Sequence, residues 1–339
     1  MELSTFIAVG ENIHCTRIHK VGGKYVKPFE GGHVIEYPAA DGTRRLPVPE
    51  EMTRTPDWES GRVKHCAVAI AQGCYGSGDA QAAGKDYLQS LARRQEAAGA
   101  AYLDINVDEF STDIEERARL MQWTVALVQE AVSIPVSVDS SNLEILRAGL
   151  SAADPAKGRP LVNSVSLERT DILEAAREFN AVVIASAAGE TGMPTTAGER
   201  VENLQALMPR LRDIGLDDAA IHIDPLVFPV SVDPQNGVRF LDAVRAVREA
   251  FGSEVHIVAG LSNISFGMPS RRLINQVFTC LAVEAGADGG IVDPFQISAE
   301  IIRSMDTDSE DFKLARAMLM GEDEYGMEFI MAARDGRLS

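Results

Sequence analysis

The sequence predicts an α/β protein built as a (β/α)8, or TIM, barrel. Three observations predict it: eight short runs rich in β-branched residues, amphipathic helical patterns between them, and no Gly-rich phosphate turn after the first run. Strands buried on both faces read as near-continuous apolar stretches, which suits a parallel sheet covered by helices. Eight strand–helix units in roughly 250 residues is the pattern of such a barrel. A doubly wound open sheet competes, but it usually opens on a Gly-rich turn, and Val9-Gly-Glu-Asn12 is not one.

In chain order, strands are expected at Phe6–Gly10, Tyr102–Val107, Pro135–Asp139 and Leu161–Ser166, then at Ala181–Ala187, Ile221–Asp224, Val255–Leu261 and Gly289–Asp293. Between them lie helical patterns at Asp86–Gly99, Ile114–Val132, Asn142–Leu150, Gly198–Ile214, Asn236–Phe251 and Arg271–Gly286. Gly99, Gly149 and Gly286 stand where helix C-caps expect glycine. Residues 15–80 form a long insertion between the first strand and the first helix, far beyond the usual connection. Gly22-Gly-Lys-Tyr-Val26, Val34-Ile-Glu-Tyr37 and the turn pair Asp41-Gly42 mark a small β excursion there, and His65–Gln72 a helical turn. The expected organisation is a barrel over residues 1–305, its 15–80 insertion lying over the active face, with a helical C-terminal extension at 306–339 centred on Phe312–Met320.

At 339 residues the chain can bury a large core. No uninterrupted apolar run reaches the ~18 residues that span a bilayer. The start, Met1-Glu-Leu-Ser-Thr-Phe6, lacks the basic and apolar regions of a signal peptide. Cys15, Cys66, Cys74 and Cys280 form no CxxC pair, as expected of reduced thiols in a cytoplasmic protein. A net charge of −18 argues against broad nucleic-acid binding.

Loops after the strands form the active face of such a barrel. Those positions hold Glu11, Asn12, Asp104, Asn106, Asp139, Asn163, Asp224, Asn263 and Asp293; lysine is absent, and histidine enters only as His14. Carboxylates and carboxamides without a nucleophile or a neutral-pH base do not suit a hydrolase. They fit a heterocycle with amide-like edges, because a carboxylate accepts adjacent N–H donors and an Asn pairs a mixed donor–acceptor edge. Each residue also has a bland explanation. Asp139, opening Asp-Ser-Ser-Asn142, could simply cap a helix. Asp224-Pro225 is a common turn pair. Asn163, inside a strand pattern, is harder to dismiss. The stretch His256–Ser265 presents Asn263 as a lone neutral carboxamide after an apolar run.

The motifs Val138-Asp-Ser-Ser-Asn142, Val162-Asn-Ser164, His222-Ile-Asp-Pro225 and Gly260-Leu-Ser-Asn-Ile-Ser265 resemble the pterin-binding methyltransferase family in order and spacing. That family includes methyltetrahydrofolate:corrinoid/iron–sulfur-protein methyltransferase and the folate domain of cobalamin-dependent methionine synthase. Leu103-Asp-Ile-Asn106 and Leu273-Ile-Asn275 extend the resemblance, which covers about residues 1–12 and 80–303. It implies a homodimeric TIM barrel that moves a methyl group between methyltetrahydrofolate, or a related tetrahydropterin, and the cobalt of a cobalamin (corrinoid) carried by a partner protein. Asp139, Asn163, Asp224, Asn106 and Asp104 would bind the pterin, and Asn263 would act on its methylated nitrogen. Further candidates are Glu11, Asn12, Ser265, Arg271 and Asp293. Where the family often begins Gly-Glu-Arg-Ile-Asn, this chain has Gly10-Glu-Asn-Ile-His14. Two alternatives stay open: a dihydropteroate synthase-like condensing enzyme, whose basic segment after the seventh strand is missing, and a non-catalytic pterin-binding subunit of a corrinoid complex. His14, Cys15, His19, His33, His65, Cys66 and Cys74 match no standard zinc spacing, so no metal is expected.

Overall fold

The computed structural model describes residues 5–39 and 41–338. Met1–Ser4, on which part of the signal-peptide reading rests, lie outside these residues, as do Ala40 and Ser339. Eight parallel strands close a barrel: β1 (Ile7–His14), β7 (Ala100–Asn106), β8 (Val136–Asp139), β9 (Leu161–Val165), β10 (Val182–Ser186), β11 (Ile221–Asp224), β12 (His256–Ala259) and β13 (Gly289–Val292). Each lies beside its neighbour in this series, and β1 closes against β13. The other five strands belong to the excursion: β2 (Ile18–Lys20), β3 (Val26–Phe29), β4 (Gly32–Ala39), β5 (Gly42–Pro47) and β6 (Arg62–Lys64). The expected (β/α)8 architecture is therefore present. No helix among the described residues is long and apolar enough to cross a membrane.

The chain divides into two compact units. The first comprises Met1–Gly10, Ala98–Ala100 and Val162–Ser339. In it β1 pairs with β13 in the register Ile7↔Gly289 to Gly10↔Val292. That contact requires glycine, since a Cβ on Gly289 would lie 2.1 Å from the Ile7 carbonyl oxygen. Helix Ala197–Asp213 begins with a capping box in which Thr196 and Glu199 satisfy each other's backbone N–H groups. Helices Asn236–Phe251 and Arg271–Ala285 meet through Phe240 and Phe278, ring centroids 5.1 Å apart. The tail forms helices Glu310–Leu319 and Met327–Arg334, which bury Phe312 and Phe329.

The second unit comprises Glu11–Ala97 and Ala101–Leu161. Here the excursion is a three-stranded antiparallel sheet, β3–β4–β5, plus the pair β2–β6. The three-stranded sheet packs on helix Gly78–Ala97: Tyr37 Oη donates to Asp86 at 2.7 Å and Ser90 Oγ donates to the Pro38 carbonyl at 3.0 Å. Near β7, Lys64 reaches Glu109 at 2.9 Å.

Several boundaries differ from expectation. The first strand runs to His14, because Cys15 N–H still pairs with the Asn106 carbonyl; Glu11, Asn12 and His14 therefore lie inside β1 rather than past it. The turn at His65–Gln72 is a full helix, His65–Tyr75, and the helix expected from Asp86 starts at Gly78. Gly149 is not a C-cap; it sits inside helix Leu143–Ala152, where a Cβ would come within 2.6 Å of Val138. Gly99 and Gly286 do adopt the positive φ of helix ends, +94° and +113°.

Candidate active site

In the second unit β1, β7 and β8 bring one polar network together. His14 Nε2 lies 2.8 Å from Asp104 Oδ2, both residues being buried. The other Asp104 oxygen accepts a short hydrogen bond from Ser137 Oγ. Asn106 Nδ2 donates to Asp139 Oδ2 at 2.9 Å, and its own carbonyl accepts from Asp108 N–H at 2.9 Å, which orients the amide. Asp108 in turn holds Ser140 Oγ at 2.6 Å and Ser141 N–H at 2.9 Å. Helix Leu143–Ala152 is capped by Asn142, whose side chain accepts from Glu144 and Ile145 N–H. Asp139 is thereby released from capping, and the bland account of it fails.

Burial pushes the Asp139 carboxyl up to about 7, helped by the Asp104 charge and opposed by His14 and Asn106. Burial alone would lower His14, but the Asp104 hydrogen bond and the charges of Asp104, Asp139 and Glu11 outweigh it, so its pKa is raised. The network thus holds two crowded carboxylates around one imidazole that favours its protonated form. One ligand atom each from His14, Asp104 and Asp139 lies within 4.8 Å of the others. Each of the three residues is engaged in a hydrogen bond, so the set forms one linked polar network.

The remaining second-unit candidates have structural partners. Glu11 pairs with Arg17 at 2.5 Å, and the Asn12 N–H donates to Gln95 Oε1 at 3.2 Å. The Asn12 carbonyl accepts from Cys66 Sγ at 3.2 Å. His19 stacks on His65 with centroids 4.1 Å apart, and burial lowers both pKa values, His19 to about 4.

In the first unit, β9, β11 and the turn after β12 each carry a candidate. Asn163 lies within β9, and its peptide bond to Ser164 is cis. Asp224 ends β11; its Oδ1 accepts Leu226 N–H at 2.8 Å in a tight turn where Leu226 takes φ +70°. The turn explanation is therefore half right, because Oδ2 has no protein partner among the described residues. Burial lifts this carboxyl to about 6, against the pull of the Leu226 N–H and of Arg200. The strand expected through Leu261 stops at Ala259, and Leu261–Ser265 form a 3-10 helix carrying Asn263. Asn263 is exposed, and its carboxamide has no hydrogen-bond partner among the described residues. Gly260 makes room for it: a Cβ there would stand 3.1 Å from Asn263 Nδ2.

Ser265 and Arg271 brace that turn. Arg271 Nε donates to Ser265 Oγ and Nη2 to the Ser262 carbonyl, both at 3.0 Å. Asp293 closes a turn, accepting from Phe295 N–H at 3.0 Å and Gln296 Nε2 at 2.6 Å. Sequence reasoning missed Ser137, Asp108 and Arg200. Arg200 left a signal: a charged residue on the apolar stripe of Leu204, Leu207 and Leu211.

Known proteins resemble this chain in sequence and in fold. Methylcorrinoid:tetrahydrofolate methyltransferase of Eubacterium limosum is 32% identical over 260 residues, covering 74% of this chain and 89% of that protein. Among solved structures, Xanthomonas albilineans dihydropteroate synthase with 7,8-dihydropteroate superposes with TM-score 0.52 at 19% identity, over 68% of this chain and 86% of its own. The Yersinia pestis enzyme bound to a pterine–sulfa conjugate gives 0.50 at 18% identity, over 69% and 88%. At such identities these two share the fold. The model of the family described as pterin binding enzyme matches residues 79–293, from the first outer helix through the last barrel strand, and the chain belongs to that family.

Proposed function

We propose that this protein is a methyltransferase that exchanges a methyl group between a tetrahydrofolate-type pterin and the cobalt of a corrinoid carried by another protein. The observation that carries the proposal is Asn263, an exposed carboxamide without a protein partner among the described residues, in the 3-10 turn that follows β12. It stands in a chain 32% identical to a methylcorrinoid:tetrahydrofolate methyltransferase. Within each unit the candidates suit a pterin edge: Asp139 in the second and Asp224 in the first are carboxylates able to accept its N–H donors, and Asn106 and Asn163 are amides able to pair its mixed edge.

Toward the pterin, its nitrogen attacks the methyl carbon, the carbon–cobalt bond breaks, and the cobalt keeps the electron pair as the nitrogen gives up its proton. In reverse, the reduced cobalt supplies the electron pair of the new bond to the methyl carbon, and the methylated nitrogen leaves with the electron pair of its C–N bond and takes up a proton. A neutral carboxamide serves both directions, accepting from N–H and donating to the bare amine, so its contact strengthens as charge shifts. A missing basic segment after β12 disfavours diphosphate displacement. Incubation with methyltetrahydrofolate and cob(I)alamin, followed spectroscopically, is expected to yield methylcobalamin; no methyl exchange, or dihydropteroate formed from pterin diphosphate and aminobenzoate, refutes the assignment.

A further inference from the structure

Arg200 is the largest fully buried side chain among the described residues, with 1% of its surface exposed. A leucine would fill its place on the helix stripe without desolvating a charge, and isolating a guanidinium from water is costly. What Arg200 touches accounts for it. Its Nε donates to the Pro225 carbonyl at 2.6 Å, its Nη1 donates to the Thr196 carbonyl at 3.1 Å, and its guanidinium lies 5.5 Å from the centre of the Phe228 ring.

The Pro225 carbonyl and the Leu226 N–H belong to one planar peptide unit, so fixing one end fixes the other. Arg200 grips the carbonyl end, and Asp224 Oδ1 takes the N–H end at 2.8 Å. A single peptide plane therefore links a buried cation to the carboxylate that precedes it. We propose that Arg200 is a positioning residue for Asp224, pinning its carboxylate through the Pro225–Leu226 peptide and supplying its counter-charge, so that Oδ2 is left ionised and aimed at N–H donors of the substrate. This rests on the pterin reading of Asp224.

The surroundings single out this pair. Ser186, opposite Asp224 on β10, is uncharged. His222, two residues back on β11, faces His256 of β12 across 5.2 Å; burial and that neighbour lower its pKa to about 3, so it carries no charge at neutral pH. Glu199 and Arg239 act on Arg200. Arg200 is the charged group that acts on Asp224, and it opposes the rise that burial imposes.

The test reads Asp224 directly. In ligand-free protein carrying carboxyl-13C aspartate, the Asp224 signal, assigned by its loss in Asp224→Asn, is expected to titrate near pH 6. Removing the cation in Arg200→Met raises that midpoint by about one pH unit or more. Because binding needs both Asp224 and Asp139 as carboxylates, and Asp139 at about 7 already limits the wild type, the acid-side loss of methyltetrahydrofolate binding moves up by less than the Asp224 midpoint does, and binding returns at about pH 9. Arg200→Lys keeps the midpoint but, lacking the fork, binds methyltetrahydrofolate about tenfold more weakly. An unmoved Asp224 midpoint in Arg200→Met, with binding weakened equally at every pH, overturns the proposal. If the Met variant does not fold, the Lys variant decides, and wild-type affinity there overturns it too. A wild-type protein that binds no methyltetrahydrofolate, while Asp224 still titrates with Arg200, removes the pterin reading and leaves the positioning relationship intact.

Discussion

His14 and Asp104 share a 2.8 Å hydrogen bond between two buried side chains, and the imidazole also lies in the field of Asp139. One imidazole thus moderates two acids. Replacing His14 with Asn, the residue that the family often has there, removes the imidazole whose positive form opposes the rise, and pushes the Asp139 carboxyl beyond about 7. Binding needs the carboxylate and is lost as pH falls through that value, so His14→Asn should lose methyltetrahydrofolate affinity at a higher pH than wild type. Calorimetric titrations between about pH 6 and 9 would show it; superimposable profiles would count against the coupling.

Stability should run the opposite way. The Asp139 pKa is raised on folding, so its contribution to stability is present at low pH and is lost as pH rises through about 7. Asp139→Asn should therefore stabilise the ligand-free protein above pH 7 by about 1 kcal/mol or more while abolishing pterin binding. Thermal unfolding at two pH values checks the sign, and a destabilised variant at alkaline pH would contradict it.

Asn263→Ala should keep methyltetrahydrofolate affinity within a few-fold and lower turnover by about two to three orders of magnitude, the cost of losing one donor aimed at developing charge. Comparing kcat with the dissociation constant separates the two effects. Wild-type turnover in this variant would take Asn263 out of the mechanism.

Treatment with a chelator should leave methyl exchange unchanged, because His14, Asp104 and Asp139 are already engaged with protein groups. Loss of activity on EDTA dialysis, restored by one divalent metal, would recast the network as a metal site.

Gly289→Ala should destabilise the fold by about 1–3 kcal/mol, since overpacking at a strand contact forces backbone shifts. The added methyl would lie 2.1 Å from the Ile7 carbonyl, between two paired barrel strands. A melting temperature equal to wild type would show that β1 can give way.

Much of this was legible in the sequence, for identifiable reasons. Strand ends announce themselves because an apolar run stops on a polar residue, as at Asp139 and Asp224. The 3-10 turn around Asn263 was not, since Leu261 continues the apolar pattern after the strand has ended. The His14–Asp104 bond joins residues 90 apart, and no local spacing encodes such a pair. Arg200 advertised its burial through helical periodicity, but its partner lies on a peptide plane that side-chain patterns cannot reveal.

Asn142, not Asp139, caps the helix that follows β8. On the proposed pterin reading, fold maintenance and ligand recognition fall to separate side chains three positions apart. Substitutions at Asp139 report on recognition with the helix start left in place, and substitutions at Asn142 vary local stability with the acidic group untouched. A lineage under pressure to change its pterin could revise the first without surrendering the second.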